Sequence, residues 1–248
     1  MQAIILAAGK GTRMQSDLPK VLHRLGPRAL LEHVLHHLEK LGITQPIVVV
    51  GYRKEQVMDY IQPLFPEVQF ALQEEMLGTA DAVRAAVPLL TSSEPTFMIY
   101  GDNPLFSPTT FRSLAAAHER AGAVLSLVTA VVPDPARYGR IVRGPDGAIL
   151  RDVEFKDAID EEKTITEINA GCYLADPTWL ASALTKITPS EVTGEYYLTD
   201  LIELGVASGR PLGSYQLLDF REALGVNTLE DLHSAEKAWT ALQDQSHV

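Results

Sequence analysis

A glycine-containing loop with basic neighbours lies near the start of the chain. The run Leu6–Met14 has the sequence LAAGKGTRM, and Lys20 follows it within the segment SDLPKVLH. Glycines let a backbone approach a ligand closely, and successive N–H groups can then bind an anion. Arg13 and Lys20 add full positive charges, and a guanidinium suits phosphate oxygens. The loop therefore predicts a phosphate site, although an ordinary turn after a strand can also hold two glycines.

Two familiar phosphate-binding loops do not match this run. It lacks the Gly-Lys-Ser/Thr ending of a P-loop and the third glycine of the dinucleotide fingerprint, so neither a mononucleotide kinase nor a dehydrogenase is indicated. Residues 1–28 nevertheless hold five basic residues and one acidic residue, in a chain of formal net charge −11. A basic island in an acidic protein favours a local anion site, with chance clustering on a solvated face as the alternative.

Several residues further along the chain suit a nucleotide base and a metal ion. The amide of Gln73 both donates and accepts hydrogen bonds, as a uracil edge requires. Gly78 permits close approach, and Thr79 can bond a base or cap the next helix. Asp102 comes directly after a strand ending at Tyr100, where a carboxylate could hold a metal that also contacts phosphates, or could simply form a turn.

The second half of the chain carries groups that suit a sugar. Carboxylates and amides such as Glu154 and Asn169 bond hydroxyl and acetamido groups, and Gly139 offers a bare backbone N–H. Glu154 would equally fit the solvent face of a strand. The run Gly194–Asp200 opens a helix with acidic residues that favour its dipole. Asn227 is a natural N-cap for the last helix.

The elements that would position these residues alternate between strand and helix. Buried apolar runs predict strands at 2–8, 46–50, 68–72, 96–100 and 123–131. Helical spacing and capping residues predict helices at 29–41, 54–61, 79–90 and 107–120. After about residue 133 we expect a β excursion at 137–155, a strand at 165–175, helices at 177–186 and 196–208, a strand at 213–219 and a helix at 228–243.

This alternation predicts an α/β fold with a doubly wound, mostly parallel, Rossmann-like sheet and a smaller β-rich part. Ligands in such folds gather at the carboxyl ends of the strands, which places Gly9, Gly51, Gln73 and Asp102 along one edge. Without a linker or repeat, we expect a single domain over 1–248. Its nucleotide-binding half would cover about 1–105, its sugar-binding half about 106–227 and its C-terminal helix 228–248.

Composition bounds the class of protein. The chain is 46% hydrophobic and 21% charged, with Cys172 as its single cysteine, so intrachain disulfides and cysteine-rich metal sites are excluded. No basic leader or long apolar run is present, and we therefore expect a cytoplasmic protein with no membrane partner. The acidic charge argues against nucleic-acid binding. The histidines show no triad or metal spacing, and His33, His36 and His37 are expected to lie exposed on one helix.

The run LAAGKGTRM followed by SDLPKVLH resembles the opening signature of the sugar nucleotidyltransferase family. More narrowly, it is similar to the uridyltransferase domain of bacterial N-acetylglucosamine-1-phosphate uridyltransferases. Further blocks in the same order extend the resemblance over essentially the whole chain. It implies a GT-A-like nucleotidyltransferase fold, a Mg²⁺ cofactor, and UTP and N-acetylglucosamine 1-phosphate as substrates.

The resemblance also assigns roles to individual residues. It implies that Gln73, Gly78 and Thr79 hold the uracil, and that Asp102 and Asn227 are the protein ligands of Mg²⁺. Arg13, Lys20 and Asp102 would be the catalytic residues. The other implied substrate contacts are Leu6, Ala7, Ala8, Gly9, Lys10, Tyr100, Gly101, Gly139, Glu154, Asn169, Tyr197 and Thr199. The sequence departs from the family pattern at Glu74-Glu75-Met76, at Asn103 and at Phe155.

The implied reaction forms UDP-N-acetylglucosamine and pyrophosphate by in-line attack of a sugar phosphate on the α-phosphorus of UTP. Three alternatives remain open: another sugar 1-phosphate, dTTP in place of UTP, or a non-catalytic sensor of nucleotide sugars. The bacterial relatives usually continue into hexapeptide repeats that acetylate and trimerise. Because this chain contains no such repeat, acetyltransferase activity is not expected and the oligomeric state stays open.

Overall fold

The computed structural model describes residues 1–135, 138–153, 155 and 157–245, apart from the side chains of residues 244 and 245. Its strands are β1 (Gln2–Ala7), β2 (Arg24–Leu25), β3 (Arg28–Ala29), β4 (Ile47–Val50), β5 (Gln69–Leu72), β6 (Thr96–Tyr100), β7 (Leu125–Val131), β8 (Arg140–Arg143), β9 (Ile149–Val153), β10 (Glu167–Ala175) and β11 (Leu212–Gln216). Its α-helices are α1 (Leu30–Glu39), α2 (Lys54–Ile61), α3 (Thr79–Ala86), α4 (Pro108–Ala121), α5 (Asp160–Lys163), α6 (Pro177–Leu184), α7 (Asp200–Ala207) and α8 (Leu229–Gln245).

Among the described residues, one nine-stranded sheet organises the fold. Its main path runs β11-β7-β10-β6-β1-β4-β5, and the β8–β9 hairpin attaches through β10. Strands β6, β1, β4 and β5 are parallel neighbours, whereas β10 is antiparallel to β6 and β7. The predicted mostly parallel, doubly wound sheet with a smaller β-rich part is therefore confirmed. The β excursion predicted at 137–155 corresponds to β8 and β9.

Two apolar layers cover the sheet, as the alternation of side chains in a strand requires. In β1, Ile5 faces the layer that contains side chains of α1, α2 and α4. Its neighbours Ile4 and Leu6 face the layer that contains side chains of α3, α6 and α7. A third, smaller cluster joins Met14 of the glycine loop to the C-terminal helix α8. The glycine loop is thus fixed to the protein core on one side.

The helix predicted at 196–208 begins later, at Asp200. The reason lies in the backbone hydrogen bonds of the preceding residues. Tyr196 N–H donates to the Leu77 carbonyl at 2.7 Å, and Ala80 N–H donates to the Tyr196 carbonyl at 2.9 Å. Leu198 N–H donates to Thr79 Oγ1 at 2.9 Å. These bonds to Leu77 and to the first two residues of α3 replace those of a helical turn.

The expectation that His33, His36 and His37 lie exposed on α1 is wrong, because His33 is buried and His36 and His37 are half-buried. The Nε2 atom of His33 lies 2.8 Å from the Leu25 carbonyl, and the His33 ring contacts the edge of Trp239. Burial lowers the pKa of His33 and lowers that of His37 to about 4. Trp239 of α8 packs against His33, and the Phe106 backbone lies beside His37, so contacts with distant residues produce this burial.

The burial of His37 predicts a pH-dependent loss of stability. Its pKa is about 4 in the folded chain, chiefly because burial disfavours the charged ring, whereas an unfolded histidine titrates near 6.5. The unfolded state therefore binds more protons as the pH falls from 6.5 towards 4, and folding weakens over that window. Replacing His37 with Gln should remove at most about 3 kcal/mol of this dependence. Urea unfolding at pH 7 and pH 4.5 measures it, with the exposed His233→Gln as control. An equal loss of unfolding free energy between pH 7 and pH 4.5 in the original protein and in both variants would contradict this prediction.

Candidate active site

A cleft of about 830 Å³ lies at the carboxyl ends of β1, β5 and β6. It brings together most of the residues selected from the sequence. The selected residues that line it are Leu6, Ala7, Ala8, Gly9, Lys10, Arg13, Lys20, Gln73, Gly78, Thr79, Tyr100, Asp102, Gly139, Asn169, Thr199 and Asn227. Residues from both halves of the chain therefore meet at one edge of the sheet, as parallel strands allow.

Three selected residues stand apart. Gly101 lies behind the lining, where a Cβ atom would contact the Leu6 carbonyl oxygen and the side chains of Val21 and Leu31. Tyr197 is half-buried outside the lining, and its hydroxyl shares a hydrogen bond of 2.7 Å with Thr193 Oγ1. Glu154, with its neighbour Lys156, lies outside the residues that the structure describes.

A cluster of opposite charges lies beside the glycine loop, where the sequence predicts a phosphate site. We call this part of the cleft the phosphate end. Asp102 is 8% exposed at the end of β6, and its carboxylate forms an ion pair with the Lys20 ammonium. Lys20 Nζ also donates to Asn227 Oδ1 at 3.1 Å, and Arg13 Nη2 donates to the same oxygen at 2.9 Å. Val226 N–H donates to the Asp102 carbonyl at 2.9 Å, which ties the Asn227 segment to β6. Two cations and two oxygen ligands thus converge from distant parts of the chain.

The oxygens of Asp102 and Asn227 fit a shared divalent cation. Both contact one ammonium group, Lys20 Nζ, so a single positive centre can be held between them. A carboxylate and an amide oxygen are hard ligands of the kind that Mg²⁺ prefers, and Mg²⁺ usually takes its remaining ligands from phosphates and water. No cluster of three or more His, Cys, Asp or Glu side chains suited to a metal occurs in the described part of the chain. The donor set therefore fits a metal completed by substrate.

The loop before α3 forms the opposite end of the cleft. Gly78 has φ +112°, and a Cβ atom there would lie 2.5 Å from the Tyr196 carbonyl oxygen, so only glycine fits. Gln73 follows β5, is 5% exposed, and donates from Nε2 to the Gly78 carbonyl and to Asp81 Oδ2, each at 2.9 Å. Thr79 holds the Leu198 backbone through its hydroxyl, in keeping with a structural role for that group.

Three hydrogen-bonded side chains, Asp152, Asn169 and Tyr173, line the cleft between its two ends, and we call them the polar floor. Asn169 Nδ2 donates to Asp152 Oδ2 at 2.8 Å and to the Tyr173 hydroxyl at 2.7 Å, while its Oδ1 accepts from Gly171 N–H at 3.0 Å. Burial raises the pKa of Tyr100 to about 12 and raises that of Tyr173 well above its ordinary value. Both phenols therefore stay neutral and serve as hydrogen-bonding groups.

Sequence reasoning missed Asp152 and Tyr173, which line this floor. The sequence could have indicated Asp152. Residues two apart in a strand share a face, and Glu154 is a candidate sugar contact. Asn103 was treated only as a departure from a family pattern. It is buried, and its Nδ2 donates to the Ala170 carbonyl at 3.0 Å, so it joins β6 to β10 beneath the cleft.

The sheet, with a cleft at its carboxyl edge, agrees with the predicted α/β nucleotidyltransferase fold. A model of the MobA-like NTP transferase domain matches residues 3–193, and the chain belongs to that family. The resemblance to a sugar nucleotidyltransferase stated from the sequence is thereby confirmed.

Two relatives are similar to this chain over nearly its whole length. The chain is 44% identical over 236 residues to the bifunctional protein GlmU of Geobacillus thermodenitrificans, covering 95% of this chain and 51% of that protein. It is 45% identical over 247 residues to the bifunctional protein GlmU of Lactococcus lactis subsp. cremoris, covering 99% and 53%. The chain thus spans about half the length of the curated relatives it matches.

A solved structure shares the fold. The crystal structure of a UDP-glucose pyrophosphorylase complexed with UDP-glucose superimposes with a TM-score of 0.78 at 18% identity, covering 97% of this chain and 98% of that one. At that identity the match shows the fold alone. Within the described residues, no helix is long and apolar enough to cross a membrane.

Proposed function

We propose that this chain transfers a uridylyl group from UTP to N-acetylglucosamine 1-phosphate and releases pyrophosphate. The observation that carries the proposal is the convergence of Arg13, Lys20, Asp102 and Asn227 at the carboxyl edge of the sheet. Cations beside two hard oxygen ligands suit a triphosphate and its metal. The GlmU relatives and the polar floor of the cleft support the choice of an amino sugar phosphate.

The proposed uridylyl transfer requires the substrates to be positioned and their negative charge to be neutralised. A sugar phosphate is already ionised near neutral pH and attacks the α-phosphorus without a general base, which agrees with a cleft lined by no histidine among the described residues. Arg13 and Lys10 offset the charge on the leaving pyrophosphate, and Lys20 holds the α-phosphate or the sugar phosphate. Asp102 and Asn227 would hold Mg²⁺, which when bound would supply positive charge to neutralise the phosphates.

We further propose that the nucleotide lies over residues of about 1–105 and that the sugar lies over the later part of the chain. Gln73, Gly78 and Thr79 are the proposed base contacts. Leu6, Ala7, Ala8 and Gly9 at the carboxyl end of β1, and Tyr100 at the end of β6, are further proposed substrate contacts. Gly139, Asn169 and Thr199 line the proposed sugar end. Glu154 and Tyr197 are proposed to lie close to the sugar.

A pyrophosphate-release assay tests this function. The purified chain is mixed with UTP and Mg²⁺ and offered N-acetylglucosamine, glucose and galactosamine 1-phosphates in turn. We expect N-acetylglucosamine 1-phosphate to give the highest kcat/KM. Faster release with glucose 1-phosphate would reassign the sugar while keeping the reaction. Silence with every sugar phosphate, in a protein that still binds UTP, would favour a nucleotide-sugar sensor.

A further inference from the structure

The side-chain amide of Gln73 has an orientation fixed by the protein. Its Nε2 donates one hydrogen bond to the Gly78 carbonyl oxygen and one to Asp81 Oδ2, each at 2.9 Å. Both protons of the amide nitrogen are therefore used. Among the described residues no group donates to Gln73 Oε1, while the residue itself lines the cleft. The carbonyl oxygen is the atom left for a ligand.

The two partners decide which way the amide faces. A backbone carbonyl can only accept a hydrogen bond, and so can a carboxylate. Reversing the amide would place Oε1 against two acceptors, lose both hydrogen bonds and leave buried polar atoms unpaired, which is costly. Asp81 supplies the charged half of this constraint, and charge-assisted hydrogen bonds are the stronger kind. The Gly78 carbonyl alone would constrain the amide less.

We propose, on the basis of the uridylyl transfer set out above, that Asp81 is a positioning residue that selects the nucleotide base through Gln73. With Oε1 held towards the cleft, Gln73 accepts from a base that presents a ring N–H, as uracil and thymine do at N3. Cytosine presents a lone pair at the same ring position. Two acceptors would then face each other, and a site built to pair with a donor rejects the analogue that lacks it.

The test compares UTP with CTP in variants at Asp81. Asp81→Ala removes the charged acceptor, so the amide can turn and offer Nε2 to cytosine. We expect the ratio of UTP to CTP affinity, and the matching ratio of kcat/KM, to fall by about tenfold, the size of one hydrogen bond. The UTP to CTP ratio of Asp81→Asn should lie between those of Asp81→Ala and the original protein, because the Asn amide oxygen can still accept a hydrogen bond. KM for the sugar phosphate should not change.

The control is Asp160→Ala, which removes an exposed acid from the first turn of α5 and so matches the loss of a helix-terminal charge. Unfolding midpoints identify any variant that folds poorly, and Asp81→Asn then answers the question alone. Unchanged UTP to CTP ratios in the folded Asp81 variants would overturn the role of Asp81. A chain that binds UTP in preference to CTP but releases no pyrophosphate would instead count against the proposed function.

Discussion

Replacing Asp102 with Ala is expected to remove almost all turnover while the chain still folds. In the part of the chain that the structure describes, Asp102 supplies the carboxylate that pairs with Lys20 at the phosphate end of the cleft. Its loss removes a proposed metal ligand and leaves the Lys20 ammonium to pair with substrate or with Asn227 alone. We expect kcat to fall on the order of 10³-fold, as when one preorganised electrostatic partner is removed.

Steady-state rates over a Mg²⁺ titration measure this effect. Asp102→Asn keeps the shape of the side chain without its charge and should require a higher Mg²⁺ concentration for half-maximal rate. The control Asp59→Ala removes an exposed aspartate from α2 and should leave the rate unchanged. A folded Asp102→Ala protein with normal turnover at saturating Mg²⁺ would show that the metal is held elsewhere.

The second large effect is expected at Lys20. Lys20→Ala should lower kcat/KM by about 10²- to 10³-fold, because its ammonium is the cation that contacts both Asp102 and Asn227. Lys20→Arg keeps the charge with a larger, planar head and should recover only part of the loss. Unfolding in urea separates this loss of activity from a loss of stability, because an uncompensated Asp102 carboxylate would also weaken the fold.

A double-mutant cycle sharpens this prediction. Lys20 and Asp102 are in direct contact, so their effects should not add. The protein with both residues replaced by Ala should be no slower than Asp102→Ala alone, because groups that act as a unit lose their function together. Full additivity of the two losses would mean that Lys20 and Asp102 act on separate parts of the reaction.

Much of this fold could be predicted from patterns in the sequence. Buried apolar runs ending in glycine or a polar residue predicted β1, β4, β5 and β6, and parallel strands bring their carboxyl ends to one edge. That rule alone placed Gly9, Gln73 and Asp102 together. The alternation of elements is a local property, so it survives folding with small shifts at the ends.

What could not be predicted depends on contacts between distant residues. The start of α7 shifts because Tyr196 and Leu198 bond to Leu77 and to the first two residues of α3. His33 is buried by Trp239, which lies over two hundred residues away in the sequence. The pairing of Asp81 with Gln73 depends on how the first turn of α3 faces the end of β5. Side-chain periodicity carries no information about such partners.

The tertiary contacts also explain why the phosphate end of the cleft is preorganised. Met14 packs with Val226 and α8 in one apolar cluster, which fixes the glycine loop and the Asn227 segment relative to each other. Asp231 Oδ2 accepts from the backbone N–H groups of Asn227 and Thr228 at 3.0 and 2.9 Å. Asn227 is therefore held by a capped helix end while its side chain faces Arg13 and Lys20.

We expect this chain to make a new phosphoanhydride and not to hydrolyse its nucleotide. Phosphorus NMR of the purified chain with UTP, N-acetylglucosamine 1-phosphate and Mg²⁺ tests it most directly. The account predicts equal amounts of pyrophosphate and a nucleotide-sugar diphosphate, with loss of the sugar phosphate signal at the same rate. Formation of orthophosphate or UMP with the sugar phosphate unchanged, or no change while UTP binds, would contradict it.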